Sequence, residues 1–326
     1  IINVKRANTL NKLIIRKMTE LISNFTSTMS QYPWLFVAIS FILAATIGSF
    51  LNVVIHRLPV MMKREWQSEC NYYLNEYHPD IVKQVGEKRL AKPIDAFPQK
   101  YNLVVPGSAC PKCKTDIKPW HNLPVLGWLM LKGQCASCHT KISARYPIVE
   151  LTTGLLIATL AFYFGPTAQF LFAAILTFFL VALTGIDLDE MLLPDQLTLP
   201  LLWLGLIINL QGVFTSPTDA LIGAATGYLS LWSVFWLFKL ATGKEGMGYG
   251  DFKLMAVFGA WLGWQMLPLI ILLSSLVGAI IGITMIATKK LHAGKPIPFG
   301  PYIAVAGWIA LIWGQEIINW YLSTLV

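Results

Sequence analysis

The chain has 326 residues, of which 55% are hydrophobic and only 13% carry a charge, and its formal net charge is +8. Soluble globular domains carry about twice as many charged residues, so this composition excludes a soluble domain of ordinary make-up. We therefore expect an all-α polytopic membrane protein.

Residues 1–32 precede the first apolar run, and five basic side chains lie within their first 17 positions. The run that follows is long enough to span a membrane and has no small-residue cleavage site after it, which argues against a cleaved signal peptide. We interpret residues 1–32 as an N-terminal extension, external by the charge argument below. Residues 1–17 are interpreted as an upstream segment or one foreign to the natural chain.

Eight apolar runs approach the ~20 residues that a helix needs to cross the hydrocarbon of a bilayer. They lie at 33–55, 147–164, 168–186, 197–213, 219–240, 252–266, 267–288 and 301–322. We therefore predict about eight transmembrane helices. The first span is at 33–55, a polar loop domain at 56–146 follows it, and a seven-span domain occupies 147–326.

The basic residues mark one side of these spans. Fourteen of the 25 Lys and Arg residues lie between Arg57 and Arg145. Six more flank later loops on the same side if the spans alternate, and these are Lys239, Lys244, Lys253, Lys289, Lys290 and Lys295. Lys and Arg accumulate in cytoplasmic loops, so 56–146 is predicted to face the cytoplasm and both termini to lie outside. A basic face also attracts anionic lipid.

The 56–146 domain is predicted to be helical at first and then loop-like, and it shows no glycine fingerprint of a dinucleotide fold. Its second half carries two Cys-x-x-Cys pairs with 21 residues between them. Four thiolates in two such pairs suit the tetrahedral coordination that zinc prefers. We therefore predict a structural zinc site formed by Cys110, Cys113, Cys135 and Cys138.

Two disulfides are the alternative for these four cysteines, but disulfides do not persist in a reducing cytoplasmic loop. His139 could replace one ligand, and we interpret it as a bystander because four cysteines are available. Cys70 stands alone and is interpreted as a small buried side chain rather than a nucleophile.

Acidic residues lie at the ends of two predicted spans. The third span is followed by Asp187, Asp189, Glu190 and Asp195, and Asp251 opens the sixth. By the span count both groups face the cytoplasm, so they can meet.

These acids admit different interpretations. The first cluster fails the EF-hand pattern, because Met191 occupies its fifth position and the central Gly is absent. Asp195 precedes an apolar run, which favours a helix N-cap, while Asp189 and Glu190 fit solvated positions. Carboxylates within a membrane usually serve a function, which favours Asp187 and Asp251 over simple helix-end acids.

Two carboxylates that converge in a low-dielectric site share one proton, so that one acts as a base on water and the other polarises a carbonyl. This is the chemistry of an aspartic protease. Gly248 and Gly250 lie just before Asp251, and the lack of a Cβ there would let an extended substrate backbone approach the acid.

Six motifs occur in order along the chain. They are GSFLNVVIHRLP (48–59), YNLVVPGSACPKC (101–113), CASCHTKISARYPIVELTTG (135–154), IDLDEMLLPD (186–195), GYGDFK (248–253) and IPFGPYIA (297–304). Together they resemble the type IV prepilin peptidase family, which consists of intramembrane aspartic proteases of the GxGD type. GxGD alone also occurs in presenilin-like proteases, but the ordered set runs over most of residues 48–304.

The resemblance implies a bifunctional enzyme of the bacterial inner membrane, active at the cytoplasmic face. It implies cleavage of the short basic leader of prepilins or of secretion-system pseudopilins, after a Gly, and then methylation of the new N-terminal amine with S-adenosylmethionine. It places the catalytic acids at Asp187 and Asp251 and zinc on the four cysteines. Glu150, just inside the second span, is a candidate contact for the amine or a substrate charge. No motif in 56–146 identifies the residues that bind the methyl donor.

The alternative from a different class is a proton- or cation-coupled transporter that uses the same acids as a relay. A transporter of this kind is expected to have inverted repeats and helices broken at mid-membrane. This sequence has no internal repeat, and its acids lie at helix ends. The expected partners are prepilin or pseudopilin substrates and the lipid bilayer, with no nucleic acid.

Overall fold

The computed structural model describes residues 2–80, 82, 100–288 and 297–325. Regular structure in these ranges is helical, apart from two isolated β-bridges that join Ala109 to Asp116 and Gln134 to Lys141. The predicted all-α class is therefore confirmed for the described part of the chain.

The structure gives the bounds of ten α-helices within the described residues. They are α1 (Ile2–Gln31), α2 (Pro33–Tyr77), α3 (Leu126–Met130), α4 (Arg145–Phe164), α5 (Ala168–Glu190), α6 (Asp195–Asn209), α7 (Pro217–Thr242), α8 (Tyr249–Leu262), α9 (Leu267–Ala287) and α10 (Gly300–Leu325). Short 3-10 turns lie at Pro119–Asn122 and Trp264–Met266.

Six helices in these ranges are long and apolar enough to cross a membrane. They are α2, α4, α5, α7, α9 with the 3-10 turn before it, and α10. Each coincides with a predicted span, so the chain is a multi-pass membrane protein. The other two predicted spans fall on α6 and α8, which have 15 and 14 residues, fewer than the ~20 needed to cross hydrocarbon. A total of eight spans stays a prediction.

Helix α8 can be short because protein surrounds it. From Asp251 to Leu262, only Lys253 is not buried. Helix α7 approaches α8 backbone to backbone, since a Cβ on Gly227 would lie 2.6 Å from the carbonyl oxygen of Met255. Close contact through small residues is the usual way in which membrane helices associate. It leaves α8 inside the bundle, with Asp251 at its N-terminal end.

Helix α6 holds the C-terminal end of α8. The Asn209 side-chain amide donates to the carbonyl oxygens of Ala260 and Trp261 at 2.8 and 2.9 Å, and the Trp261 indole donates to the carbonyl oxygen of Leu201 at 2.8 Å. An unpaired carbonyl at a helix end is costly where water is absent. These bonds therefore join α6 to α8 at the end of α8 that is opposite Asp251.

Helix α2 runs without a break from the first predicted span into the polar domain, so the predicted helical start of 56–146 is confirmed. Buried Arg57 donates to the carbonyl oxygen of Asn102 at 2.9 Å and so holds the segment that leads to Cys110. The side chain of Asn52 donates to the carbonyl oxygen of Tyr146 at 3.1 Å, which joins α2 to the start of α4. Residues 83–99, predicted to be loop-like, lie outside the described residues.

The prediction for Cys70 was wrong, because this side chain is exposed. It lies on α2 well beyond Met62, which is the last buried residue of that helix. At Cys70 the helix has left the bundle and has no core to enter.

The N-terminal extension forms α1, which ends one residue before α2 begins. Its external placement and the foreign origin of residues 1–17 stay predictions.

Reporter fusions test the orientation of the helices. A reporter fused within 60–80 or 241–247 should read cytoplasmic and one fused at 214–218 should read external, because the Lys and Arg residues lie on alternate loops. Each fusion is made with two reporters of opposite polarity, so that poor expression is not mistaken for topology. A cytoplasmic reading at 214–218 would mean that the span count is wrong. Fusions at 83–99 and 289–296, predicted to be cytoplasmic, fall outside the described residues.

Candidate active site

Asp187 lies in the last turn of α5 and is buried within the bundle. The backbone N–H of Gly300 donates to its Oδ2 at 3.0 Å. Gly300 is the first residue of α10, and the N-terminus of a helix carries partial positive charge and unpaired N–H groups. The start of α10 thus provides the hydrogen bond that a buried carboxylate requires.

Gly300 leaves no room for a side chain beside this bond. A Cβ on Gly300 would lie 2.6 Å from Asp187 Oδ2, which is closer than real Cβ atoms approach a neighbour. Gly300 lies in the sequence motif IPFGPYIA. Neither the hydrophobic periodicity nor the charge pattern of the sequence connects it with Asp187, which lies 113 positions away.

Asp251 is the third residue of α8 and is also buried. Its Oδ2 accepts a hydrogen bond of 3.3 Å from the backbone N–H of Gly248, the N-cap residue. Cβ atoms on Gly250, which precedes Asp251, and on Gly300, which bonds Asp187, would both contact Leu193, so the two acids lie in one small region of the bundle. The structure therefore brings together the two acids that the sequence paired, although their catalytic role stays a proposal.

The other three acids of the 187–195 cluster have basic partners from three different helices. Arg145 of α4 contacts Asp189 at 2.6 Å, Lys63 of α2 contacts Glu190 at 2.5 Å, and Lys253 of α8 contacts Asp195 at 2.6 Å. Their side chains are partly exposed, so each pair contributes little to stability by itself. The sequence does not reveal these contacts, because the partners are 44 to 127 positions apart.

Two interpretations of these acids were wrong. Asp195 is not the N-cap of α6, because Pro194 occupies that position and no side chain caps it. The Asp195 carboxylate accepts hydrogen bonds from Lys253 instead, at 2.6 and 2.8 Å. Asp189 and Glu190 are not merely solvated, since each belongs to an ion pair.

Arg145 makes a second contact near Asp187. One of its guanidinium nitrogens donates to the Asp189 carboxylate at 2.6 Å, and the other donates to the carbonyl oxygen of Gly185 at 3.2 Å. Arg145 therefore contacts the chain on both sides of Asp187, at the Asp189 side chain and at the Gly185 carbonyl near the C-terminal end of α5.

The two glycines before Asp251 have different surroundings. A Cβ on Gly250 would lie 2.7 Å from the Cβ of Leu193, whereas the nearest atom to a Cβ on Gly248 is Asp251 Oδ2 at 3.7 Å. Gly248 is thus open and Gly250 is closely packed against the protein. Approach of a substrate backbone at either glycine stays a prediction.

The four cysteines of the polar domain form a compact cluster. Their sulfur atoms all lie within 4.8 Å of one another, and all four thiols are free of disulfides. Cys110 Sγ is 3.7 Å from Cys138 Sγ, and Cys113 Sγ is 3.9 Å from Cys135 Sγ. Four sulfurs around one zinc ion at Zn–S bonds of ~2.3 Å are separated by about 3.8 Å. The cluster therefore fits a tetrahedral metal ion.

Each cysteine pair is built on the same backbone turn. Lys114 and His139 follow the second cysteine of their pairs with φ of 59° and 56°, and the two N–H groups bond back to the first cysteine. Thr140 lies one residue further on, and its hydroxyl and backbone N–H lower the pKa of the Cys138 thiol to about 6. Because His139 occupies the position that Lys114 has in the other pair, the geometry supports its interpretation as a bystander.

Glu150 lies in α4 with its side chain buried. Its Oε2 accepts a hydrogen bond of 2.7 Å from the backbone N–H of Val125, and its Cα lies 3.0 Å from the position of a Cβ on Gly48 of α2. Val125 has φ of 60°, a value that is rare for a β-branched residue. Glu150 therefore fixes the loop before α3 against α2 and α4. Its contact with an amine or a substrate charge stays a prediction.

Two family models match the chain. The bacterial peptidase A24 N-terminal domain matches residues 42–164, and the type IV leader peptidase family matches residues 174–283. The first match contains the cysteine cluster, and the second contains Asp187 and Asp251.

Curated proteins are similar over nearly the whole chain. Prepilin leader peptidase/N-methyltransferases from Aeromonas salmonicida, Pseudomonas aeruginosa and Legionella pneumophila are 56%, 53% and 44% identical to it. Each similarity covers 90% of this chain and 96% of the relative. The chain belongs to the type IV leader peptidase family. No solved structure matches it. In this leader peptidase family member, Gly300 lies outside both matched ranges although it bonds Asp187.

Substitution of Gly300 tests its contact with Asp187. Gly300→Ala should reduce peptidase activity on a prepilin, the activity named for the relatives, by about 10²-fold, because a small displacement of a reacting group has that effect. The matched control is Gly282→Ala in α9, where the nearest atom to a Cβ is 3.6 Å away. Equal activity of the two variants, at equal expression, would contradict the role of Gly300.

Proposed function

We propose that the chain is an intramembrane aspartic endopeptidase that removes the leader peptide from type IV prepilins or pseudopilins and then methylates the new N-terminal amine. The observation that carries the proposal is the pair Asp187 and Asp251. Two buried carboxylates from different helices interact within a membrane bundle and are each bonded by a backbone N–H. Relatives that share 44 to 56% of their residues with the chain carry both activities in their name.

Cleavage follows from the sharing of one proton between the two acids. Two carboxylates at close range in a low dielectric do not both ionise. The ionised acid accepts a proton from a water molecule, which attacks the scissile carbonyl, and the protonated acid donates a hydrogen bond to the carbonyl oxygen. The N–H groups of Gly248 and Gly300 each hold one oxygen of these carboxylates and so fix their orientation.

The site is proposed to open at the cytoplasmic face of the bacterial inner membrane. Support comes from Lys63, Arg145 and Lys253, which pair with the acids that follow Asp187 in sequence and would lie on the cytoplasmic side under the positive-inside rule. The scissile bond of a membrane-anchored prepilin would then meet the acids beside its own apolar segment.

We propose zinc as the metal of the cysteine cluster and S-adenosylmethionine as the methyl donor. Cys110, Cys113, Cys135 and Cys138 would hold the ion, and four thiolates leave no open position for catalysis, so its role is structural. The methyl donor supplies an electrophilic methyl group for the new amine. This part of the proposal rests on the resemblance and on the names of the relatives.

The transporter alternative is not supported. The relatives described above are named as peptidases and methyltransferases, and the acids lie at the end of α5 and the start of α8 rather than in helices broken at mid-membrane.

Substitutions of the acids test the peptidase. Asp187→Asn and Asp251→Asn should each lower the rate of prepilin cleavage by about 10²- to 10⁴-fold, the usual contribution of general acid–base catalysis. The double variant should be little worse, because either change removes the same dyad. Asp189→Asn and Asp195→Asn are the matched controls and should be milder, since they remove only partly exposed ion pairs.

The same variants separate the two activities. Methylation of a substrate supplied already cleaved should survive in Asp187→Asn and Asp251→Asn, because amine methylation needs no activated water. The measurement is the mass of the product with and without methyl donor. An inactive Asp189→Asn beside a normal Asp187→Asn would mean that the dyad includes a different acid.

Removal of a cysteine tests the metal site. Cys113→Ser should lower bound zinc below one equivalent and loosen the polar domain locally, because binding of a structural ion contributes directly to folding. Cys70→Ser is the control, since Cys70 is exposed on α2. Bound zinc is measured by elemental analysis after purification in a reducing buffer, and local unfolding by limited proteolysis. An active protein without zinc would refute the assignment.

A further inference from the structure

Leu193 lies in the short link between α5 and α6, directly beside the backbone that carries both acids. A Cβ on Gly250 would lie 2.7 Å from Leu193 Cβ, and a Cβ on Gly300 would lie 3.1 and 3.2 Å from the two methyl carbons of Leu193. Gly250 precedes Asp251 in sequence, and the N–H of Gly300 bonds Asp187. The Leu193 side chain therefore fills the space between Gly250, which precedes Asp251, and Gly300, which bonds Asp187.

The link that carries Leu193 is held at both ends. Met191 has φ of 52°, and its N–H bonds the carbonyl oxygen of Asp187 at 3.0 Å. Beyond the leucine, Pro194 is buried and restricts the backbone, and Asp195 is bound to Lys253. With both sides fixed, Leu193 has little freedom to withdraw from the two glycines.

We propose that Leu193 is a positioning residue that sets the distance between Asp187 and Asp251, and that Gly250 is a glycine because Leu193 occupies the space of its Cβ. The inference rests on the proposed peptidase function. The catalytic groups of an enzyme must be held within about 0.5 Å of their productive geometry. A rigid apolar side chain between two closely packed backbones supplies such a spacer without a polar atom that would compete for the shared proton.

This proposal and the substrate-approach interpretation of Gly250 predict different results. If Gly250 is needed only for a substrate backbone, a Cβ there harms activity whatever residue stands at 193. If Gly250 is needed for Leu193, the harm depends on the Cβ of residue 193. The double-mutant cycle between these positions is therefore decisive.

Gly250→Ala should lower kcat for prepilin cleavage by about 10²-fold, the effect of a misplacement of about 1 Å, with KM changed much less. In a Leu193→Gly background the same substitution should cost only about twofold, so that the two substitutions are strongly coupled. Leu193→Ala is the matched control. It removes the isopropyl group but keeps the Cβ that lies 2.7 Å from the Cβ position of Gly250, so it should not rescue Gly250→Ala.

Two further variants separate positioning from a general structural role. Gly300→Ala should not be rescued by Leu193→Gly, because Asp187 Oδ2 still lies 2.6 Å from the new Cβ. Leu193→Met, which keeps the side-chain volume, should retain most of kcat, whereas Leu193→Ala should lower kcat more than it changes KM. Folded yield and thermal unfolding in detergent are measured for every variant. The double-mutant cycle is also calculated from these two quantities.

Each outcome decides the proposal. Rescue of kcat by Leu193→Gly without rescue by Leu193→Ala supports it, whereas a defect of Gly250→Ala that is confined to folded yield overturns it. It is overturned by a harmless Gly250→Ala, or by an equal loss in both Leu193 backgrounds. Failure of the unsubstituted chain to cleave a prepilin would instead refute the peptidase function.

Discussion

The hydrogen bonds that reach the two buried carboxylates are the constraint on which the rest of the site depends. A carboxylate away from water is costly unless donors reach it, and within a bundle of packed helices the unpaired N–H groups lie at helix N-termini. Asp251 takes its donor from the start of its own helix, and Asp187 takes one from the start of α10. The C-terminal end of α5 and the N-terminal ends of α8 and α10 must therefore meet within the bundle.

The surroundings of the acids follow from this meeting of helix ends. Backbones that approach so closely require residues without side chains, and Gly300 and Gly250 supply them. The remaining acids of the cluster lie further out, where they bind cations from α2, α4 and α8. Charge is thus arranged in two zones, with partly exposed ion pairs outside and the carboxylates of Asp187 and Asp251, which bond backbone N–H groups, inside.

Much of the fold and part of the site could be predicted from the sequence. Apolar runs of sufficient length located the six long helices, because hydrocarbon thickness imposes a length that composition reveals. The acids at span ends and the two cysteine pairs could be identified because short sequence motifs indicate their chemistry. Gly300 and the ion pair of Asp195 with Lys253 could not be found, since each depends on a contact between distant parts of the chain. Cys70 was misplaced because periodicity does not reveal where a helix leaves the bundle.

The position of Arg145 has a consequence for communication between the two halves of the protein. Six residues separate it from Cys138 of the cysteine cluster, and its guanidinium contacts the chain on both sides of Asp187, at the Gly185 carbonyl and the Asp189 carboxylate. The polar domain is thus connected through one side chain to the helix end that carries Asp187. A change in the structure of the cysteine cluster would therefore displace the end of α5 as well as the polar domain.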